Sequence, residues 1–148
     1  MIKTRFPENT YARIAMMRLA EIYQKKVFIL GCGGTGCIVA EHLLRAGFSQ
    51  FVVLDSAIVD PPDMNRQLSY TFGDIGLKKV DCLKRRLISI QPEASVTEIY
   101  TYIDSRVQLE TLLEEHRPDL LVNCADKPMG KIHSIVCQGS LQTDTPVL

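Results

Sequence analysis

Gly31, Gly33 and Gly36, then Asp55, Arg66, Lys79 and Asp126, are the residues of this chain whose types and spacing can do chemistry. The glycines fit G-x-G-x-x-G. The apolar run Val27 to Leu30 precedes them, and a helical pattern from about 36 to 46 follows. Such glycines let a backbone turn tightly and approach a phosphate, and the helix N-terminus then offers free N–H groups to that phosphate. Asp55 follows about 20 residues on, where an acid accepts hydrogen bonds from ribose hydroxyls. Nucleotide binding is therefore the leading expectation. Its alternative is a tight strand-to-helix turn with no ligand.

Arg66 and Lys79 are cations that can converge on the glycine turn. A dinucleotide's pyrophosphate is served by the helix end alone, whereas two further cations suit a triphosphate. ATP is thus favoured over NAD. A nicotinamide-dependent oxidoreductase stays open, but the loop chemistry does not ask for one. Asp126, expected on the opposite wall, suits Mg²⁺, which takes carboxylate and phosphate oxygens together.

The elements that must position these residues follow from periodicity. Residues from about 10 to 24 read as a helix, with Ala15, Leu19 and Ile22 on one face. A strand at 27–30 and the helix to 46 follow, with Gly47 as its C-terminal stop. Phe51 to Asp55 is a second, nearly all-apolar strand. The connection from Ser56 to about Gly76 holds Pro61, Pro62, Gly73 and Gly76 and resists regular structure. A helix resumes near Leu77. A third strand runs from Val96 to about Ile103, and a short helix ends at Pro118. A fourth strand ends in Asp126, a helix covers about 129 to 141, and Pro146 opens what resembles a fifth strand. Alternating strands and helices imply an α/β, doubly wound, mainly parallel sheet of Rossmann type with helices on both faces. Its ligand rim lies at the strand C-termini.

At 148 residues and 46% hydrophobic, the chain reads as one domain over 1–148 with a real core. Seventeen basic and 17 acidic residues balance, which gives no reason to expect nucleic acid. No membrane span or apolar signal core is present in the sequence, so a cytoplasmic protein is expected. The five cysteines, Cys32, Cys37, Cys82, Cys124 and Cys137, form no close C-x-x-C pair. Buried, reduced thiols are expected for most, with Cys137 a packing residue.

Gly31-Cys-Gly-Gly-Thr-Gly36, Asp55, Asn65-Arg66-Gln67, Asp74-Ile-Gly-Leu-Lys-Lys79, Gln91-Pro92 and Asn123-Cys-Ala-Asp126 occur in the order seen in the ubiquitin-activating superfamily. The chain resembles that family, whose simplest members are the bacterial MoeB, ThiF and HesA proteins, from about Tyr11 to Leu148. The resemblance implies ATP-dependent adenylation of the C-terminal carboxylate of a ubiquitin-like or sulfur-carrier protein or a peptide. It implies nucleotide contacts from Gly31, Gly33, Gly34, Gly36, Asp55, Asp63, Arg66, Gln67 and Lys79, with Asp126 holding Mg²⁺. It also implies a homodimer in which Arg13 enters the neighbouring subunit's site, so that Arg13, Arg66, Lys79 and Asp126 act in catalysis. The family's adenylation domain continues past its fifth strand, so the domain is expected to be incomplete at Leu148. Two positions depart from the family pattern. Ala57 stands where a second acid is usual, and Asp63 where Asn is usual. Asp63 is expected either to repel the triphosphate or to bind metal. The departures keep open a catalytically weakened member acting as a scaffold.

Overall fold

The computed structural model describes residues 19–148. A helix, α1 (Leu19–Gln24), leads into strand β1 (Lys26–Leu30). There follow α2 (Gly34–Arg45), β2 (Gln50–Asp55), α3 (Lys79–Ile90), β3 (Ser95–Tyr100), α4 (Arg106–His116), β4 (Leu120–Asn123) and α5 (Ile132–Thr143). The strands form one sheet in the order β3-β2-β1-β4, and every pairing is parallel.

Alternate residues of the central strands feed two cores. Val27, Ile29, Phe51 and Val53 face α2 and α3, where Ala40, Leu44, Val80, Leu83 and Leu87 are buried against them. Phe28, Leu30, Val52 and Leu54 face α4 and α5, which contribute Leu109, Leu113, Ile132 and Val136. Burial on both faces is why β1 and β2 read as continuous apolar runs rather than alternating ones. The sheet is therefore doubly wound, and strand order reverses between β1 and β4.

Helix α2 stops where the sequence suggests. Gly47 takes φ +111°, and its N–H donates to the Leu44 carbonyl at 3.1 Å. The chain's last residues run beside β4. The Leu121 N–H donates to the Pro146 carbonyl at 2.8 Å and the Leu148 N–H to the Leu121 carbonyl at 2.9 Å, consistent with the start of a fifth strand.

Three boundaries differ from expectation. The connection after β2 is ordered by two short 3₁₀ turns, Pro61–Asn65 and Phe72–Asp74, and by an antiparallel bridge between Ile58 and Lys78. Carboxylates cap the turns, a role that prolines and glycines alone do not reveal. Strand β3 ends at Tyr100, short of Ile103. Strand β4 ends at Asn123, not Asp126. There the Asn123 Oδ1 accepts the Ala125 N–H at 3.2 Å, a local side-chain turn that draws the backbone off the ladder. Among the described residues no helix is long and apolar enough to cross a membrane. The portion of the expected N-terminal helix before Leu19 lies outside the described residues.

Candidate nucleotide site

A cleft of about 480 Å³ opens at the C-terminal ends of the strands, beside the point where strand order reverses. Its floor is the glycine turn, and each glycine has a different steric reason. Gly31 takes φ +95°, and a Cβ there would meet the Ala125 nitrogen at 2.8 Å. A Cβ on Gly36 would sit 1.8 Å from the Gly31 carbonyl oxygen, so Gly36 lets α2 start hard against the turn. A Cβ on Gly33 would meet nothing within 4 Å. Gly33 lines the cleft, so a side chain there would enter the cleft rather than strike the fold. Gly34 also lines it, with a Cβ finding only the ordinary 3.5 Å contact to the Arg66 carbonyl.

Asp55 ties the second strand to this turn. Its Oδ2 accepts the Cys32 N–H at 2.7 Å and its Oδ1 the Ala57 N–H at 2.8 Å. A carboxylate oxygen can accept more than one donor, so Asp55 can brace the turn and still meet a ribose hydroxyl. Below it, the buried Tyr70 hydroxyl donates to the Cys32 carbonyl at 2.6 Å. Burial pushes that hydroxyl far above its usual range, so Tyr70 is a fixed donor. Burial likewise raises the thiols of Cys32, Cys37 and Cys124. None is poised as a thiolate nucleophile. Cys137 is exposed, against expectation, because α5 turns Ile132, Ile135 and Val136 inward and leaves Cys137 outside.

Asp63, Arg66, Gln67 and Lys79 line the cleft, as do Asp126 and Lys127. Lys79 opens α3 and is buried, with its ammonium 3.0 Å from Asp63 Oδ2. The same oxygen accepts the Asp60 N–H at 3.0 Å. Asp63 Oδ1 accepts the Gln67 side-chain amide, and the Arg66 guanidinium lies 3.8 Å away. Burial opposes the charged form of Asp63. The Asp60 N–H, Lys79 and Arg66 outweigh it and hold the carboxyl below its ordinary value. Asp63 is thus a paired carboxylate. Both its oxygens are engaged by protein donors, which leaves poor access for a metal. Arg66 is exposed, and its guanidinium donates to the Pro62 carbonyl at 3.0 Å and the Asn65 Oδ1 at 3.1 Å.

Asp126 is exposed on the rim, three residues past β4. Among the described residues no cluster of three or more ligating side chains could cage a metal. Magnesium does not need one, since it commonly takes one or two carboxylates and completes its shell with phosphate oxygens and water. A single rim carboxylate fits that chemistry. Gly36 supports the floor without lining the cleft, and Arg13 lies outside the described residues. Thr101, Tyr102, Ile103 and Lys127 line the cleft and escaped the sequence reading. Ending the third strand at Tyr100 would have exposed the first three, because ligands gather beyond strand C-termini.

The sequence profile of the ThiF family matches residues 8–148. The chain belongs to the ThiF family. It is 31% identical over 101 residues to the molybdopterin-synthase adenylyltransferase of Escherichia coli (strain K12), covering 68% of this chain and 39% of that protein. It is 29% identical over 143 residues to the tRNA threonylcarbamoyladenosine dehydratase of Bacillus subtilis (strain 168), covering 97% and 54%. The crystal structure of E. coli MccB with AMPCPP and SeMet MccA superposes with a TM-score of 0.85 at 25% identity, covering 97% of this chain and 44% of MccB. The chain thus spans about half the length, or less, of these ThiF-family relatives. They support the Rossmann-like α/β fold, and their names include adenylyltransferases.

Proposed function

We propose that this chain is the nucleotide-binding portion of an ATP-dependent adenylyltransferase acting on the C-terminal carboxylate of a ubiquitin-like or sulfur-carrier protein or a peptide, in the cytoplasm. The observation that carries the reading is the meeting of Gly33, Asp55, Arg66, Lys79 and Asp126 around one cleft. In this reading Asp55 receives the ribose, and the glycine turn and the N-terminus of α2 receive phosphate through backbone N–H groups. Arg66 and Lys79 oppose the charge of the triphosphate, and Gln67 keeps their wall in register through Asp63. A carboxylate oxygen of the acceptor attacks the α-phosphorus, and the bond from that phosphorus to the bridging oxygen breaks. Pyrophosphate leaves with the electron pair, and an acyl adenylate remains. Asp126 would hold Mg²⁺, which supplies neutralisation of phosphate charge. The relatives named adenylyltransferases and the MccB complexes with ATP and with AMPCPP support this chemistry.

The test is ATP–pyrophosphate exchange, measured in the full-length protein with a candidate acceptor that has a free C-terminus. Asp126→Ala is expected to reduce exchange about a hundredfold or more while ATP binding falls much less, because charge stabilisation at the reacting phosphate acts mainly in the transition state. ATP binding without exchange under any acceptor would favour a scaffold.

A further inference from the structure

The charged side chains of the cleft cancel. Asp55, Asp63 and Asp126 line it together with Arg66, Lys79 and Lys127, three carboxylates and three cations. The tightest of these pairings is Asp63 with Lys79, both almost fully withdrawn from water, Lys79 at 10% and Asp63 at 9% side-chain exposure. An ammonium has three donors, so Lys79 can keep Asp63 and still reach a ligand. Its charge, however, is partly offset by the carboxylate beside it.

The surroundings commit to this pair. The Asp60 N–H and the Gln67 amide both turn their donors to Asp63. Gln67 does so while its own Oε1 stays buried without a partner. An orphaned buried acceptor costs free energy, so the native arrangement holds the carboxylate in place at a penalty.

Resting on the ATP-binding reading above, we propose that Asp63 is a specificity-determining residue that sets how much net negative charge the cleft accepts. With Asp63 neutralising Lys79, the cleft favours a nucleoside triphosphate whose charge a divalent cation has already reduced, and discriminates against the free tetra-anion. The discrimination is electrostatic. Cancelling one positive charge at the cleft wall takes more attraction from a ligand of charge −4 than from one of charge −2, and the effect is strong in a partly desolvated cleft.

Asp63→Asn isolates this term. Asn is nearly isosteric, and a flip of the Gln67 amide lets its Oε1 accept from the new side-chain NH₂. The experiment is calorimetric titration of ATP in excess Mg²⁺ and, separately, in excess EDTA. The native chain is expected to bind metal-free ATP at least about tenfold more weakly than the magnesium complex, and Asp63→Asn to tighten metal-free ATP about tenfold, narrowing that gap. An unchanged or weaker affinity for metal-free ATP, or equal tightening of both forms, overturns the proposal. Should Asp63→Asn fold poorly, Lys79→Gln tests the same balance in the opposite sense. With Asp63 unopposed, the preference for the magnesium complex should widen at least about fivefold. An unchanged preference overturns the proposal. If the native chain binds neither form, the ATP reading itself fails and this inference falls with it. If the native chain binds ATP but the variants leave the preference unmoved, only the role of Asp63 fails.

Discussion

Gly33 and Gly36 stand three residues apart in one motif, yet they answer to different pressures. Gly36→Ala forces a methyl group to within 1.8 Å of the Gly31 carbonyl and must displace the turn. Its expected cost is about 3 kcal/mol, read from the denaturant midpoint. Gly33→Ala meets open space, has φ −76°, and loses little beyond a helix-capping preference, about 1 kcal/mol at most. Its methyl group enters the cleft instead, so ATP affinity should fall at least about tenfold in a folded protein. Equal stability losses in the two variants would contradict this division. The motif is legible in the sequence as a motif. Which glycine serves the ligand and which the packing is not, because that depends on where Cys124 and Ala125, just past β4, come to lie. The pairing of Asp63 is not legible for the same reason. Its partner Lys79 is 16 residues away, and nothing in the spacing says that the two close to 3.0 Å.

At the scale of elements, the connection from Ser56 to Lys78 brings Asp63, Arg66 and Gln67 to the cleft and is held by carboxylate caps. Asp74 accepts the Thr71 N–H at 2.7 Å and hydroxyl at 2.8 Å and pairs with Arg85 on α3 at 2.7 Å. Burial opposes its charge, but these donors prevail and its carboxyl is held below the ordinary value. Asp63 is depressed in the same sense. A depressed folded-state value means stabilisation that is present above the unfolded carboxyl value, about 3.9, and lost as pH falls through the lower folded value. Stability should therefore fall below about pH 4. Asp74→Asn should lose about 2 kcal/mol near neutrality and show a shallower acid decline, measured by denaturant unfolding across pH. An unaltered acid decline would assign it to other groups. The strands and helices themselves are readable because apolar runs and helical periodicity are local signals. The 3₁₀ turns are not, since they depend on side-chain caps rather than on a repeating pattern. The sequence overruns the ends of β3 and β4 because polar residues that continue an alternation can line a cleft as readily as a sheet.

For the molecule as a whole, Leu141, Val147 and Leu148 remain exposed near the last paired segment, and Met129 is 86% exposed at the entry to α5. The family resemblance adds a homodimer with Arg13 acting across it, and we propose that the chain self-associates. Light scattering at tens of micromolar should report a dimer or larger species, whereas a clean monomer would remove the role across subunits for Arg13. Fold class is legible because the alternation of strands and helices has few topological solutions. The cleft is legible because its strand C-termini carry the chemically loaded residues. The central claim is that this cleft takes a nucleoside triphosphate rather than a dinucleotide. Calorimetry with magnesium ATP and with NAD tests it most directly. ATP is expected to bind at least about tenfold more tightly than NAD, with Gly33→Ala weakening it. Tighter binding of NAD would contradict the claim.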